Sequence, residues 1–352
     1  MKPISSRGFS IVELLIAVAL SMILTLGLIR VFTSSKQGYR VQESRSRMQE
    51  NGRFAMDYLT RAIRLSDYWS SARPENIRIE TTAPFVSACG LALQTGALAN
   101  LVEGIRGFNG AASTSGIPAD CAEDRTANSD AILLRYADPD TAATAGADLD
   151  TTKTNLSTAG NDNGAIFLRV LTGGIGVLFD AKNTTVLDNA LSNPADSYAG
   201  SSVERPGNII NYKYRTELFY LRRRDASDAT LPPSLYYSRN IYRTTPTPAG
   251  SAMVATELVE GIEMMKFEYG IDTDNDLLVD GYRPAASITN WSQVMSVRVG
   301  LIVLGDAREQ FADASSYTMP GGYAHTVPTG FTGFQRFQFV REVQIRNRTT
   351  AR

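Results

Sequence analysis

Hydrophobic positions are spread unevenly along this chain. From Phe9 to Ile29 the run FSIVELLIAVALSMILTLGLI holds a single charged residue, Glu13, and no proline. As a helix it is about 30 Å long, enough to cross the hydrocarbon core of a bilayer. The helical pattern continues past it, because no proline follows until Pro74. Met48, Ala55, Leu59 and Ala62, with Phe54, Tyr58, Ile63 and Leu65 beside them, recur at helical spacing and form an apolar stripe. The section from Lys36 to Arg53 is more polar, as suits a solvent-crossing or subunit-facing stretch. One helix from Phe9 to about Leu65, roughly 85 Å long, is therefore expected.

Beyond that helix the period changes. Asn76 to Glu80, Ala131 to Tyr136, Ala165 to Leu171, Ile209 to Leu221, Ser234 to Tyr242, Val294 to Leu304 and Phe337 to Arg346 read as strands. Leu258 to Tyr269 reads as partly helical at its start. With no βαβ rhythm, the sheets are expected to be mainly antiparallel. Asp138 to Gly164, Asn183 to Gly207, Thr244 to Ala252 and Ala312 to Gly333 are Ala/Thr/Gly/Asp- or Gly/Pro-rich and read as long loops. The fold class is α+β: a long N-terminal helix packed on a mainly antiparallel β-rich domain.

Composition describes an ordinary folded protein of 352 residues, 43% hydrophobic and 20% charged, with a formal net charge of −1. A near-neutral chain offers no global attraction for nucleic acid, so that partner is not expected. Two positive residues, Lys2 and Arg7, precede the apolar run and favour a cytoplasmic N-terminus with the rest of the chain on the other side. No A-x-A cleavage site follows Ile29, as a secretory signal would require. A plain membrane anchor is the simplest alternative, but it leaves Glu13 unexplained. A carboxylate at that depth costs roughly 2.5–3.5 kcal/mol unless it is neutralised or paired.

The segment R-G-F-S-I-V-E-L-L-I-A, Arg7 to Ala17, resembles the N-terminal signature of type IV prepilins and pseudopilins. The resemblance implies cleavage by a prepilin peptidase between Gly8 and Phe9 and methylation of the new Phe9 amine. It also implies that Glu13 pairs with the N-terminal amine of a neighbouring subunit. A buried carboxylate and a buried ammonium are each costly alone and tolerable together. Three more stretches, NGRFAMDYLTRAIR, ELVEGIEMMKFEYGIDTDND and VREVQIRNR, are similar to characteristic stretches of the PilW minor pilins. The implied organisation is a leader at 1–8, a transmembrane or filament-core helix at 9–32, its amphipathic continuation at 33–69 and a periplasmic β-rich domain at 70–352. The implied partners are other minor pilins of the V, X, E and FimU types, the major pilin, a PilY-type tip adhesin and the inner membrane. The implied role is initiation of pilus assembly, with a place at the pilus tip. A J-type pseudopilin of type II secretion, a tip-exposed adhesive or DNA-uptake pilin and an anchored periplasmic enzyme are the alternatives.

Cys89 and Cys121 are the only cysteines. In an oxidising periplasm they are expected to form a disulfide contributing about 3–4 kcal/mol in the chain-entropy model; two unpaired buried thiols are the alternative. Asp272, Asp274, Asp276 and Asp280 occupy relative positions 1, 3, 5 and 9 of a Ca²⁺-loop spacing, and Leu278 at position 7 offers a carbonyl. Leu277 replaces the usual Gly at position 6 and Arg283 the bidentate Glu at position 12, so the run also reads as an acidic solvated hairpin tip. Ca²⁺ is the one cofactor the sequence suggests. Arg222, Arg223 and Arg224, and the C-terminal Arg336, Arg341, Arg346, Arg348 and Arg352, read as solvated strand edges or contacts for an acidic partner. With one histidine, His325, no His-based zinc cluster or Ser-His-Asp set is available, and neither G-x-S-x-G nor a P-loop occurs. No enzyme is expected.

Overall fold

In this computed structural model the described residues are 10–79, 103–110, 124–141, 143–144, 166–171, 174–180, 210–223, 231–243, 250–308, 313 and 315–348. Gly8, Phe9, Cys89 and Cys121 lie outside them, and so do most of the expected Ala/Thr/Asp loops. One α-helix, α1, runs from Ile11 to Leu65 without a break. The strands are β1 (Ile77–Ile79), β2 (Ile105–Phe108), β3 (Ala131–Ala137), β4 (Ala143–Thr144), β5 (Ile166–Leu171), β6 (Ile175–Asp180), β7 (Ile210–Arg222) and β8 (Ser234–Arg243). They continue as β9 (Gly250–Glu260), β10 (Ile262–Ile271), β11 (Gly281–Arg283), β12 (Val294–Arg308), β13 (Ser316–Met319), β14 (Tyr323–Thr326) and β15 (Phe334–Gln344).

Among the described residues these strands form three sheets. The largest has nine strands, ordered β1-β6-β5-β7-β3-β2, with β4 and β8 also on β7 and β9 on β8. The second is β11-β10-β12-β15, and the third is the hairpin β13-β14. Pairing is antiparallel except between β1 and β6. The expected fold class is therefore what forms, a long helix packed with antiparallel sheets.

Only the second half of α1 is covered by the domain. Ser44, Met48, Gly52, Ala55, Met56, Leu59, Ala62 and Ile63 are buried, a stripe that lies on β12 and β15. At Gly52 the helix comes so close to β15 that a methyl group would overlap the Phe339 ring. Polar groups fasten both rims of the contact. Arg45 Nε donates to Gln335 Oε1 at 2.7 Å, Asn51 Nδ2 to the Glu260 carbonyl at 3.2 Å and Arg341 to Asp57 at 2.6 Å. The helix stops at Ser66, and Asp67 turns the chain with φ 61°. The Asp67 carboxylate is buried, accepting from Arg348 Nε at 2.7 Å and Trp69 Nε1 at 2.9 Å. Arg348 also donates to the carbonyls of Val294 and Trp291, so one guanidinium joins the helix end, the start of β12 and the C-terminal segment.

Three sequence expectations are corrected here. Leu258 to Tyr269 holds no helix. Its apolar spacing suits both periods, and Gly261, at φ 76°, breaks it into β9 on the large sheet and β10 on the small one. The Thr244 to Ala252 loop gives way to β9 from Gly250. Ala312 to Gly333 is not one long loop. It contains β13 and β14, turned through Pro320–Gly322 with Gly321 and Gly322 at positive φ.

The hairpin is fixed from below by a buried charge cluster. Arg336 donates to both oxygens of Glu263, at 2.6 and 2.8 Å, and lies 3.4 Å from Asp313. His325 Nε2 stands 3.3 Å from Glu263, and Tyr317 donates to Asp313 at 2.8 Å. Burial opposes ionisation of Glu263, but His325 and Arg336 overcome it and hold its pKa below the ordinary value. Its contribution to stability is thus complete at neutral pH and is lost as the pH falls through that lowered pKa. Arg336 and Arg348 are therefore not the solvated cations expected of a C-terminal basic run; both side chains are buried on carboxylates supplied from far along the chain.

Removing the Arg348 guanidinium leaves the buried Asp67 carboxylate without its cation. Arg348→Ala should cost about 3–5 kcal/mol, whereas Arg341→Ala, in an exposed pair with Asp57, should cost about 0–1 kcal/mol. Thermal unfolding of the full-length chain in detergent, followed by near-UV circular dichroism, checks this. Equal melting shifts for the two variants would remove Arg348 from this role.

Candidate functional site

Two regions carry the sequence-predicted functional residues. The first is the N-terminal half of α1. Its apolar side chains are exposed, Ile11, Leu15, Met22, Leu24, Leu28 and Phe32 among them by more than half, and the most apolar stretch is uncovered by the domain. The hydroxyls in this stretch are satisfied within the helix. Ser21 donates to the Val18 carbonyl at 2.8 Å, Thr25 to Ser21 at 2.7 Å and Thr33 to Ile29 at 2.9 Å. These hydroxyls present no unsatisfied donor to a lipid or an apolar neighbour.

Glu13 stands in the first turn of that half. Its Oε2 accepts from the Ser10 backbone N–H at 3.2 Å, while Ser10 Oγ accepts from Val12 at 3.3 Å, a capping box. Ser10 is thus the N-cap of α1, a role not singled out by the helix pattern, although its S-x-x-E spacing to Glu13 was legible. Among the described residues no other group hydrogen-bonds to or pairs with the Glu13 carboxylate.

The second region is the loop from β10 to β11. Asp272 is buried and accepts from Asn275 N at 2.7 Å and Leu277 N at 2.9 Å. Exposed Asp274 accepts from Asp276 N at 3.3 Å, and exposed Asp276 from Leu278 N at 2.8 Å. One oxygen of each of these three carboxylates lies within 4.8 Å of the others, a group able to hold a metal ion. Asp280 stands outside that group and accepts from the backbone of Thr273 at 2.7 Å. The N–H of Asp276 lowers the pKa of Asp274, but the charges of Asp276, Asp280 and Asp272 outweigh it and leave it raised. Donation from Thr273 holds Asp280 below its ordinary value. Leu277, at the position where Ca²⁺ loops place Gly, adopts φ 68°, and Asn275 adopts φ 62°. The turn a cation loop needs is made here by a residue ill suited to it.

Of the basic runs, Arg222 lies near Asp124 (3.4 Å) and over the Tyr236 ring, Arg223 is exposed, and Arg224 and Arg352 fall outside the described residues. They do not converge with either region.

A family model described as a prokaryotic N-terminal methylation motif matches residues 5–29, and one described as Type IV Pilus-assembly protein W matches residues 218–347. Together these two matches support a type IV minor pilin of the PilW family. The first match lies on the uncovered half of α1, and the second runs from β7 through β15, including the small sheet on which α1 rests. No curated protein and no solved structure matches the chain. A PilW pilin is a structural, non-enzymatic protein of pilus assembly, and its apolar helix fits a membrane anchor.

The strain at Leu277 gives a direct test of the loop. Leu277→Gly should stabilise the full-length protein by about 1 kcal/mol, since the side chain is 43% exposed and the left-handed backbone costs an L-residue about that much. Asp272→Ala, which strands two loop N–H groups, should cost about 1–3 kcal/mol, and Asp276→Ala much less. Thermal melts of the three variants decide it; a destabilised Leu277→Gly would show that the Leu277 side chain matters more than its backbone.

Proposed function

We propose that this PilW-family chain is a minor pilin that helps initiate type IV pilus assembly and then sits in the pilus tip complex. The observation that carries the reading is the division of α1. One half is bound to the protein's own sheet, and the other, apolar with a single carboxylate, is left for a membrane and then for other helices. In this reading a prepilin peptidase cuts between Gly8 and Phe9, and the Phe9 amine is methylated. The domain faces the periplasm. Glu13 exchanges its own Ser10 N–H for the N-terminal amine of a neighbouring subunit as the helix leaves the lipid. The partners are the V-, X-, E- and FimU-type minor pilins, the major pilin and a PilY-type adhesin. The pilus-assembly family match favours this system over a J-type pseudopilin.

Glu13→Leu makes the span more apolar, so membrane association should persist. Co-purification with the other minor pilins and the number of pili per cell should fall, because the partner amine loses its counter-charge. N-terminal sequencing of the extracted protein should begin at Phe9. Unchanged pilus number in Glu13→Leu, or a mature chain beginning at Met1, would reject this mechanism.

A second reading concerns the acidic loop, favoured by the convergence of Asp272, Asp274 and Asp276. We infer that it takes Ca²⁺ weakly, in the submillimolar to millimolar range of extracellular modules. The melting temperature of the full-length protein should then rise saturably with calcium relative to chelator. Asp274→Ala and Asp276→Ala should abolish the rise. A melt indifferent to calcium returns the loop to a solvated turn.

A further inference from the structure

The stripe of α1 that buries Ser44, Met48 and Gly52 continues toward the N-terminus as Thr33, Lys36, Gln37, Arg40 and Val41. Below the domain this stripe lines an open crevice of about 570 Å³, flanked on the other side by Asp306 near the end of β12. Within the crevice the carboxylates of Glu43 and Asp306 are both turned onto Arg47, at 2.6 and 3.1 Å. Lys36 and Arg40 have no such partner among the described residues, and they stand one helical turn apart on one face. Two like charges so placed repel each other unless an anion lies between them.

Their depth says what anion is at hand. The apolar run from Ile11 through Phe32 is about 33 Å long as a helix, close to the thickness of the hydrocarbon core. Lys36 and Arg40 follow Phe32 by about 6 and 12 Å, and helical side chains lean back toward the N-terminus, here toward the lipid. Both cations therefore reach the headgroup layer. Their number is also unusual for the topology proposed above, on which this point rests. Lys36, Arg40, Arg45 and Arg47 follow the span, against Lys2 and Arg7 before it. That distribution opposes the positive-inside preference and calls for another use of the charges.

We propose that the crevice is a binding site for an anionic phospholipid, whose headgroup phosphate is held by Lys36 and Arg40 between α1 and the base of the domain. The acyl chains then lie along the uncovered helix face below Thr33. Such a lipid fixes the height and tilt of the domain over the bilayer before the helix is drawn out.

The test uses the full-length chain in nanodiscs of equal parts phosphatidylglycerol and phosphatidylcholine, with retained lipid counted by native mass spectrometry. Retained lipid should be enriched in phosphatidylglycerol by about thirtyfold, as two juxtamembrane cations predict. The double variant Lys36→Gln/Arg40→Gln should return it to the bulk ratio. Arg53→Gln, a single neutralisation farther up the helix, should leave the enrichment intact. No enrichment in the wild-type protein, or equal loss in Arg53→Gln, overturns the site. Displacement by millimolar glycerol phosphate, a level far below bilayer lipid density, would assign it to a soluble phosphate instead. Absent enrichment combined with lost pilus assembly in the double variant would assign the cations to an acidic face of a neighbouring subunit. Because the nanodisc readout does not depend on pilus formation, its failure is distinguishable from failure of the minor-pilin reading.

Discussion

An unbroken helix that its own domain covers over only one half is the constraint on which the rest of this structure depends. Burying a large apolar side chain stabilises by about 1.5–3 kcal/mol, and more than a dozen such side chains between Ile11 and Phe32 are left uncovered. Transferring that surface from water into lipid or against other helices is favourable by tens of kcal/mol, more than the net stability of a domain. The uncovered half must therefore lie in lipid or against other helices. Because α1 has no proline and no kink, whatever holds that half also positions the domain.

The domain in turn is built to grip the other half. Helix, small sheet and large sheet meet in one core, with Met56, Leu59, Phe219, Phe267 and Leu301 all within it. Where separate elements join, buried ion pairs set their register. Arg348 ties the helix end to β12, and Arg336 ties β15 to β10 and the hairpin. Lys266 reaches Asp130 at 2.9 Å across the two sheets, and Asp130 also accepts from Phe267 N and Gly110 N. Such pairs add little net energy over an apolar contact, but losing one partner is costly. They act by disfavouring other ways of docking these surfaces.

The proposed chemistry lies at the two ends of this rigid arrangement. Among the described residues Glu13 has only its capping hydrogen bond to Ser10, and in the proposed arrangement Lys36 and Arg40 mark the height at which the helix leaves the lipid. The acidic loop is far along the chain, on the small sheet, where buried Asp272 organises the turn and its exposed neighbours carry the charge.

What could be read from residues alone was what depends on neighbours in sequence. Helical spacing marked α1 nearly to its ends, β-rich runs marked seven strands close to their observed positions, and Glu13 stood out as one carboxylate in an apolar run. The carboxylate spacing at Asp272, Asp274 and Asp276 was equally local, since alternate residues of a short loop already lie within reach of one another. The β9–β10 break, the β13–β14 hairpin and the burial of Arg336 and Arg348 were not visible in this way. Each is decided by a partner remote in sequence: Arg348 meets Asp67 across 281 positions and Arg336 meets Glu263 across 73. A basic residue near a chain end reads as solvated because solvation is its default, and only a folded carboxylate beside it makes burial the lower free energy.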